Sequence, residues 1–379
     1  MTDGSFVWHP DQDDTYDGDR YGQQTLTAAD FSAFNKNSGK SFTMTGDGGH
    51  LILRPGEGTA YWAGTNYQKG VTTQITIKGG MLEIQSQPGD PPRILSLGSN
   101  RIQYVKIDIT GSFIINDTTI MASAPNDFIE DQSPAVTVDV RPGGLFRTSQ
   151  SVATPDIELS ATWDVNVYEQ GSASIISNII EFLGGRITLY GAPPLQGGPT
   201  STPGISFEAV ATSLNPGDRV AALQINNEDI SCRADSISRL QAPTMSFESA
   251  DIKVEDTASI TISCDSISFG DDDVVFAIAP GAAVITFAGL GDDRNPFKFI
   301  GGPISLPKGL LNFLTETKGD NKGKLRFRGM GGSAFDHAYL VESGILTVNG
   351  DKDTHALTGW VTETENGVPY FTLYLKAGR

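Results

Sequence analysis

One short pattern of apolar and polar positions recurs through the middle of the chain: apolar, any, apolar, a turn of two to four small or polar residues, then apolar alternation again. Its copies are ITIKGGMLEI, whose first limb ends at Ile77, VKIDITGSFII at Ile109, VTVDVRPGGLF at Val140, DVNVYEQGSASII at Val167, LQINNEDISC at Ile225, IKVEDTASITI at Val254 and FAIAPGAAVITF at Ile278. The steps between them are 32, 31, 27, 58, 29 and 24 residues. The step of 58 reads as two turns of 29, with the Pro/Gly-rich stretch GAPPLQGGPTSTPG let out as a loop. Alternation at every second residue does not fit helices, whose apolar faces recur at about 3.6 residues. It fits short strands, each stacked about 4.8 Å above the equivalent strand of the preceding turn. Inward apolar side chains then form columns, and Gly or small polar residues take the corners. Asp235-Ser236-Ile237-Ser238 returns thirty residues later as Asp265-Ser266-Ile267-Ser268, which reads as a second limb of the repeat. The pattern predicts an all-β chain with a parallel β-helix, a β-solenoid, over residues 40–290.

On these rungs the sequence resembles the right-handed parallel β-helix proteins, among them pectin-lyase-like enzymes, phage tailspikes and autotransporter passengers. The resemblance is one of architecture and covers roughly 250 residues. It implies an elongated body, often trimeric or projecting from a surface, used for attachment or for glycan processing.

Both ends of such a coil need covering, because they expose strand edges and apolar core. Thr27 to Asp30 followed by Phe31 and Phe34 predicts a short N-capped helix over 27–39 that closes the first rung. Before it, residues 1–26 read as an acidic arm carrying Asp3, Asp11, Asp13, Asp14, Asp17 and Asp19. Beyond 290, Leu310, Leu311, Phe313 and Leu314 predict a short amphipathic helix, and Asn349-Gly350 and Asn366-Gly367 predict turns between antiparallel strands. Residues 291–379 therefore read as a small, mainly antiparallel C-terminal domain.

Composition agrees with a turn-rich β protein: 38% hydrophobic and 19% charged residues, with 43 Gly and 20 Pro in 379. Forty-five acidic residues against 27 basic give −18, which excludes a duplex binder that must neutralise several phosphates. The surplus is uneven. Residues 292–379 hold 11 basic and 10 acidic side chains, so the whole deficit lies in 1–291. The N-terminus MTDGSFVWHPDQDD has neither a basic nor an apolar region of a signal peptide. A place on a virion or a cell surface, reached without a classical signal peptide, is the expectation, with the cytoplasm left open.

Candidate chemistry is sparse. Asp235 and Asp265, at one phase of the repeat, are the alternative catalytic carboxylates of a polysaccharide lyase or hydrolase, set against a structural role at strand corners. The clusters Asp271-Asp272-Asp273, Asp292-Asp293 and Asp11 to Asp19 offer oxygens to a structural calcium ion, set against plain solvated acids; no other cofactor or metal site is expected. Val274 to Gly291 is uncharged for eighteen residues, which raises a pore-forming toxin as a further alternative; a buried last rung fits the repeat better, and membrane contact is not expected. Cys232 and Cys264 close two Ile-Ser-Cys copies 32 residues apart, a register that would stack two core thiols. Lys324, Arg326 and Arg328 alternate with Leu325 and Phe327, which predicts a basic stripe on one strand face. Such a stripe docks an anionic glycan, a phosphate-rich surface or an acidic subunit, or else protects a solvated edge strand. The expected function is a non-enzymatic structural or attachment protein, self-associating as a homotrimer and joined to a larger assembly or to a surface glycan.

Overall fold

The computed structural model describes residues 4–9, 12–27, 40–55, 59–61, 71–86, 93–96, 103–116, 118–121, 136–149, 157–159, 163–177, 179–182, 185–190, 204–209, 222–226, 228–270, 273–290, 306–317, 319–329, 337–352 and 357–376. They are nearly all strand, in long parallel sheets, as the alternation predicts. The chain forms two compact units, residues 1–187 with 209–219 and residues 188–208 with 220–379.

In the first unit successive strands enter three parallel sheets. The first sheet takes Asp14–Asp17, Ser41–Thr45, Val71–Ile77, Gln103–Ile109, Val136–Val140 and Trp163–Val167. The second takes Gln23–Leu26, His50–Leu53, Met81–Gln85, Ser112–Asn116, Leu145–Ser149 and Ser172–Ser177. The third takes Thr59–Tyr61, Arg93–Ser96, Thr118–Met121, Ile157–Leu159 and Ile179–Phe182. Register pairs Ile77 with Ile109, Ile109 with Val140 and Val140 with Val167, all buried, so these three spacings each separate neighbouring strands of one parallel sheet. Burying each such side chain stabilises by about 1.5–3 kcal/mol, and a one-residue slip would turn the whole column outward.

Between the first and second sheets of this unit the chain stacks Gly49, Gly80, Gly111 and Gly144. Their carbonyl oxygens accept from the N–H groups of Met81, Ser112, Leu145 and Ser172 at 2.8–3.0 Å. A Cβ on Gly111 would stand 2.7 Å from the Gly80 oxygen, so this corner admits no side chain there.

Residues 1–26 are not a free arm. Asp14–Asp17 and Gln23–Leu26 pair in parallel with Ser41–Thr45 and His50–Leu53. Between them Asp17 caps the one-turn helix Gly18–Tyr21, accepting from the N–H groups of Asp19 and Arg20. The sequence concealed this because its Asp residues stand close to the buried Tyr16, and charge alone read as solvated. The helix expected over 27–39 lies outside the described residues, apart from Thr27.

In the second unit the first sheet holds Glu228–Cys232, Asp251–Asp256, Val275–Gly281, Leu311–Phe313 and Leu346–Val348. The second holds Ile237–Gln241, Ser259–Ser263, Val284–Ala288 and Lys324–Arg328, then the antiparallel hairpin Val368–Leu375 and Thr358–Glu365. The third holds Ala222–Asn226, Thr244–Glu248 and Ser266–Phe269. Here several expectations change. Ile225 belongs to the third sheet and pairs with Phe247; the residue in register with Val254 is Cys232, followed by Ile278. LQINNEDISC contains two strands, and alternation alone does not say which of them continues a given column.

No boundary between sheets falls near 290. Leu311–Phe313, expected as helix, pairs in parallel with Phe276–Ile278. Lys324–Phe327 pairs in parallel with Val284–Phe287. The change of charge there is a property of the surface, while the apolar columns run on beneath it. The helix of this region is His337–Glu342. The uncharged Val274–Gly291 stretch supplies two strands, each flanked on both sides within its sheet, and it is not the last rung. Among the described residues no helix is long and apolar enough to cross a membrane. The hairpin turn comes as expected, with Asn366 and Gly367 at φ of 52° and 81°.

Candidate functional site

The Asp235–Asp265 pair does not assemble. Asp235 precedes Ile237–Gln241 of the second sheet, whereas Asp265 precedes Ser266–Phe269 of the third. The two Asp-Ser-Ile-Ser copies even face opposite ways, with Ile237 54% exposed and Ile267 7% exposed. Their match in sequence is therefore not a match in register, and the acid/base pair read from it is withdrawn. The thiol column fails for the same reason. Cys232 pairs with Val254 in the first sheet, while Cys264 follows Ser263 at the end of a second-sheet strand. Both are free and buried, and burial pushes their thiols up to about 11 and about 12. The Cys232 sulfur lies 3.2 Å from the buried Ser238 hydroxyl.

Three of the N-terminal acids, Asp13, Asp14 and Asp17, are spent on the backbone. Asp13 accepts from the Ser41 N–H at 2.8 Å and Asp14 from the His9 N–H at 2.7 Å. Among the described residues no group of three His, Cys, Asp or Glu side chains is placed to hold a metal ion. Asp11, Asp271, Asp272, Asp292 and Asp293 lie outside the described residues.

Two polar clusters tie neighbouring strands on outward positions of the first unit. Asp139, nearly buried, accepts from Asn166 at 2.9 Å and Arg141 at 3.0 Å, with the Lys106 ammonium 3.5 Å away. Arg141 also reaches Asp108 and lies over the Tyr168 ring, 4.5 Å from its centroid. The Asp108 carboxylate, hydrogen-bonded to it, holds the Arg141 guanidinium above its ordinary pKa. Burial raises Asp164 nearby, although Arg186 opposes the shift. His50 and Asn116 flank Glu83 at 2.7 Å each. Apart from Arg141–Asp139, two residues apart, these hydrogen bonds join neighbouring strands of one sheet.

The basic strand is different. Lys324–Arg328 is no edge: Val284–Ala288 lies on one side and Val368–Leu375 on the other. Leu325 and Phe327 point inward and are fully buried, as the alternation predicts. The outward face carries Lys324, Arg326 and Arg328 with their register partners Tyr374, Thr372 and Tyr370. Lys324 donates to Glu363 at 2.7 Å, and Arg326 donates to Glu365 at 2.6 Å while covering the Tyr370 ring at 4.0 Å. The Lys324 hydrogen bond comes first among the causes that hold the Glu363 carboxyl below its usual range. Much of the expected acidic partner of this stripe is thus the chain's own hairpin.

At the Lys324 end of the stripe opens a cavity of about 290 Å³. It is lined by Lys322, Lys324 and Lys376, by Tyr374, by Thr315 and Asn321, and by apolar Val348, Leu357 and Leu375. The chain builds it with three devices. Asn321 is buried; its side-chain amide donates to the Ile278 and Leu314 carbonyls and accepts from the Gly323 N–H, all at 2.8 Å. Asp320 folds the preceding loop by accepting from Thr315 Oγ1 at 2.6 Å and from the N–H groups of Glu316 and Thr317 at 2.9 and 2.7 Å. These bonds, the Thr315 hydroxyl first, pull its pKa down to about 2. Opposite, Gly359 lets the Tyr374 ring lie flat on the backbone, since a Cβ there would stand 2.9 Å from Cζ.

Three lysines line this cavity with no carboxylate among its lining residues, in a chain whose acids outnumber its bases. Lys324 is already paired with Glu363. The stripe marked this neighbourhood in the sequence, but Tyr374 and Lys376 were missed. The alternation of YFTLYLK could have found them, because it places Tyr370, Thr372, Tyr374 and Lys376 on one face. The chain matches no family model, no curated protein and no solved structure.

Proposed function

We propose that the chain is a parallel β-helix serving as a non-enzymatic attachment module, and that the lysine-lined cavity holds one acidic unit of a surface glycan. The rotation of strands through three parallel sheets, with columns in register, supports the coil. One observation carries the ligand: three lysines, one of them paired with Glu363, and a tyrosine line one cavity of a strongly acidic chain. A carboxylated or sulfated sugar matches both halves of that surface, its anion meeting the ammonium groups and its ring face stacking on Tyr374. The volume suits about one sugar ring, at the small end of ligand sites. Placement on a virion or on a cell surface belongs to the same reading.

Titration calorimetry with uronic-acid oligosaccharides and neutral ones of equal length tests it. The expected result is binding of the acidic series only, weakened about tenfold or more in the Lys322→Glu/Lys376→Glu double variant. Equal binding of neutral sugars, or no binding of any anionic sugar by the folded protein, removes the proposal.

A further inference from the structure

A residue outside the lysine cavity governs one of the side chains that line it. Glu363 belongs to the hairpin strand Thr358–Glu365 and is not among the lining residues. Its Oε1 nevertheless accepts from the Lys324 ammonium at 2.7 Å. Its second oxygen is held as well, since the Thr372 hydroxyl donates to Oε2 at 3.0 Å and Arg326 Nε lies 3.8 Å away. Thr372 is fully buried, so the carboxylate is fixed from the middle strand of the sheet end and is not a loose surface acid.

Register shows where this pair takes the lysine. Lys324, Tyr374 and Gly359 share one row across the three strands, and the cavity opens on the side of that row occupied by Lys322, Leu357 and Lys376. Glu363 stands on the other side, four residues beyond Gly359, in the row of Tyr370 and Arg328. To reach it the Lys324 ammonium is carried along the sheet, away from the cavity mouth. A carboxylate fixed on the hairpin also has a far higher effective concentration at Lys324 than one arriving in solution.

We propose that Glu363 is a built-in competitor for the anion: by drawing Lys324 along the hairpin it sets how tightly the cavity holds an acidic sugar. The proposal rests on the reading of the cavity as an acidic-sugar site and adds the residue that tunes it. Glu363→Gln keeps an oxygen for the Thr372 hydroxyl and withdraws the charge, so Lys324 is released toward the cavity. Glu365 supplies the control, because it is an acid of the same strand whose partner, Arg326, does not line the cavity.

Titration calorimetry of the intact chain with a uronic-acid oligosaccharide tests this. Glu363→Gln is expected to strengthen binding about two- to fivefold at low salt, the range of an exposed ion pair, with the gain shrinking as salt is added. Glu365→Gln leaves the affinity unchanged, and adding Lys324→Gln to Glu363→Gln cancels the gain. Equal strengthening in Glu363→Gln and Glu365→Gln would reduce the effect to net charge, and a gain that survives Lys324→Gln would place it elsewhere. Unchanged or weaker binding in Glu363→Gln would make the carboxylate inert or a positioning group; each of these three results overturns the proposal while leaving the cavity's ligand intact. No binding of the acidic sugar by the wild type or by any folded variant overturns the reading of the cavity and this proposal with it.

Discussion

The opening strands and the closing hairpin solve the same problem, the end of a sheet, in opposite ways. In the first unit Phe6, Trp8, Tyr16, Tyr21 and Phe42 pack ring against ring, with Trp8 stacked on Phe42 at 4.5 Å and Phe6 edge-on to Tyr16 at 5.2 Å. Tyr16 is fully buried, and its hydroxyl donates to the Gly22 carbonyl at 2.7 Å. In the second unit an aromatic run Phe287, Phe327, Phe371, Trp360 climbs the second sheet and stops with Trp360 53% exposed. The first arrangement finishes its core within the chain; the second leaves apolar surface exposed. An end that is sealed reads as structural, and an end that keeps apolar surface exposed reads as a place of contact.

The sharpest way to break this contrast is to truncate both aromatics. Tyr16→Ala is expected to cost about 3–5 kcal/mol, as for other large buried rings, and Trp360→Ala less than about 1 kcal/mol. Urea unfolding of each variant measures both, read with a probe local to each unit because the two units need not unfold together. Equal costs would erase the distinction between the ends.

Asn321→Ala should follow at about 1–3 kcal/mol, since it takes the partner from the Leu314 carbonyl and the Gly323 N–H, while the Ile278 carbonyl keeps the Leu314 N–H. It should also abolish saccharide binding at the cavity, whereas a variant that keeps both stability and binding would show that the amide does not shape the site.

Acid and alkali separate the ends with smaller effects. Burial lifts the Tyr16 phenol from 10 to about 12, so it holds its proton more tightly folded than unfolded. Its contribution is complete below pH 10 and is lost as pH rises from 10 to about 12. Asp320 and Glu363 are shifted downward, so their contributions are complete above the ordinary carboxylate range and are lost on acidification, for Asp320 between pH 3.8 and about 2. Hydrogen exchange across both windows should show the aromatic end loosening in alkali and the hairpin end in acid; the reverse order would contradict the assigned causes. Smallest of all, Ile237→Thr should change stability by less than about 0.5 kcal/mol, because that side chain faces water. A cost of 2 kcal/mol or more, of the kind a core isoleucine shows, would restore the abandoned register.

The regular strands of the first sheet were legible because nothing competes with them. From Ile77 to Val167 one limb is Val/Ile at every second place, its corners are glycine, and each spacing joins neighbouring strands in register. Past 220 the limbs shorten, and two strands of different sheets look like one. Ile225 and Cys232 both end an alternating run, and Ser236 and Ser238 sit inward beside an outward Ile237, so polarity misreports direction. The basic stripe was visible as alternation, yet its partners Glu363 and Glu365 lie 39 residues away and reach it only across the hairpin.

Composition and alternation by themselves determined an all-β chain of stacked parallel strands, because inward columns need apolar side chains at every second residue and strand after strand repeats that demand. Which limbs share a sheet, which charges are paired, and where a cavity remains were decided only by tertiary structure. Those outcomes depend on register between strands distant in sequence, and a one-residue change of register reverses every side chain while leaving the local pattern the same.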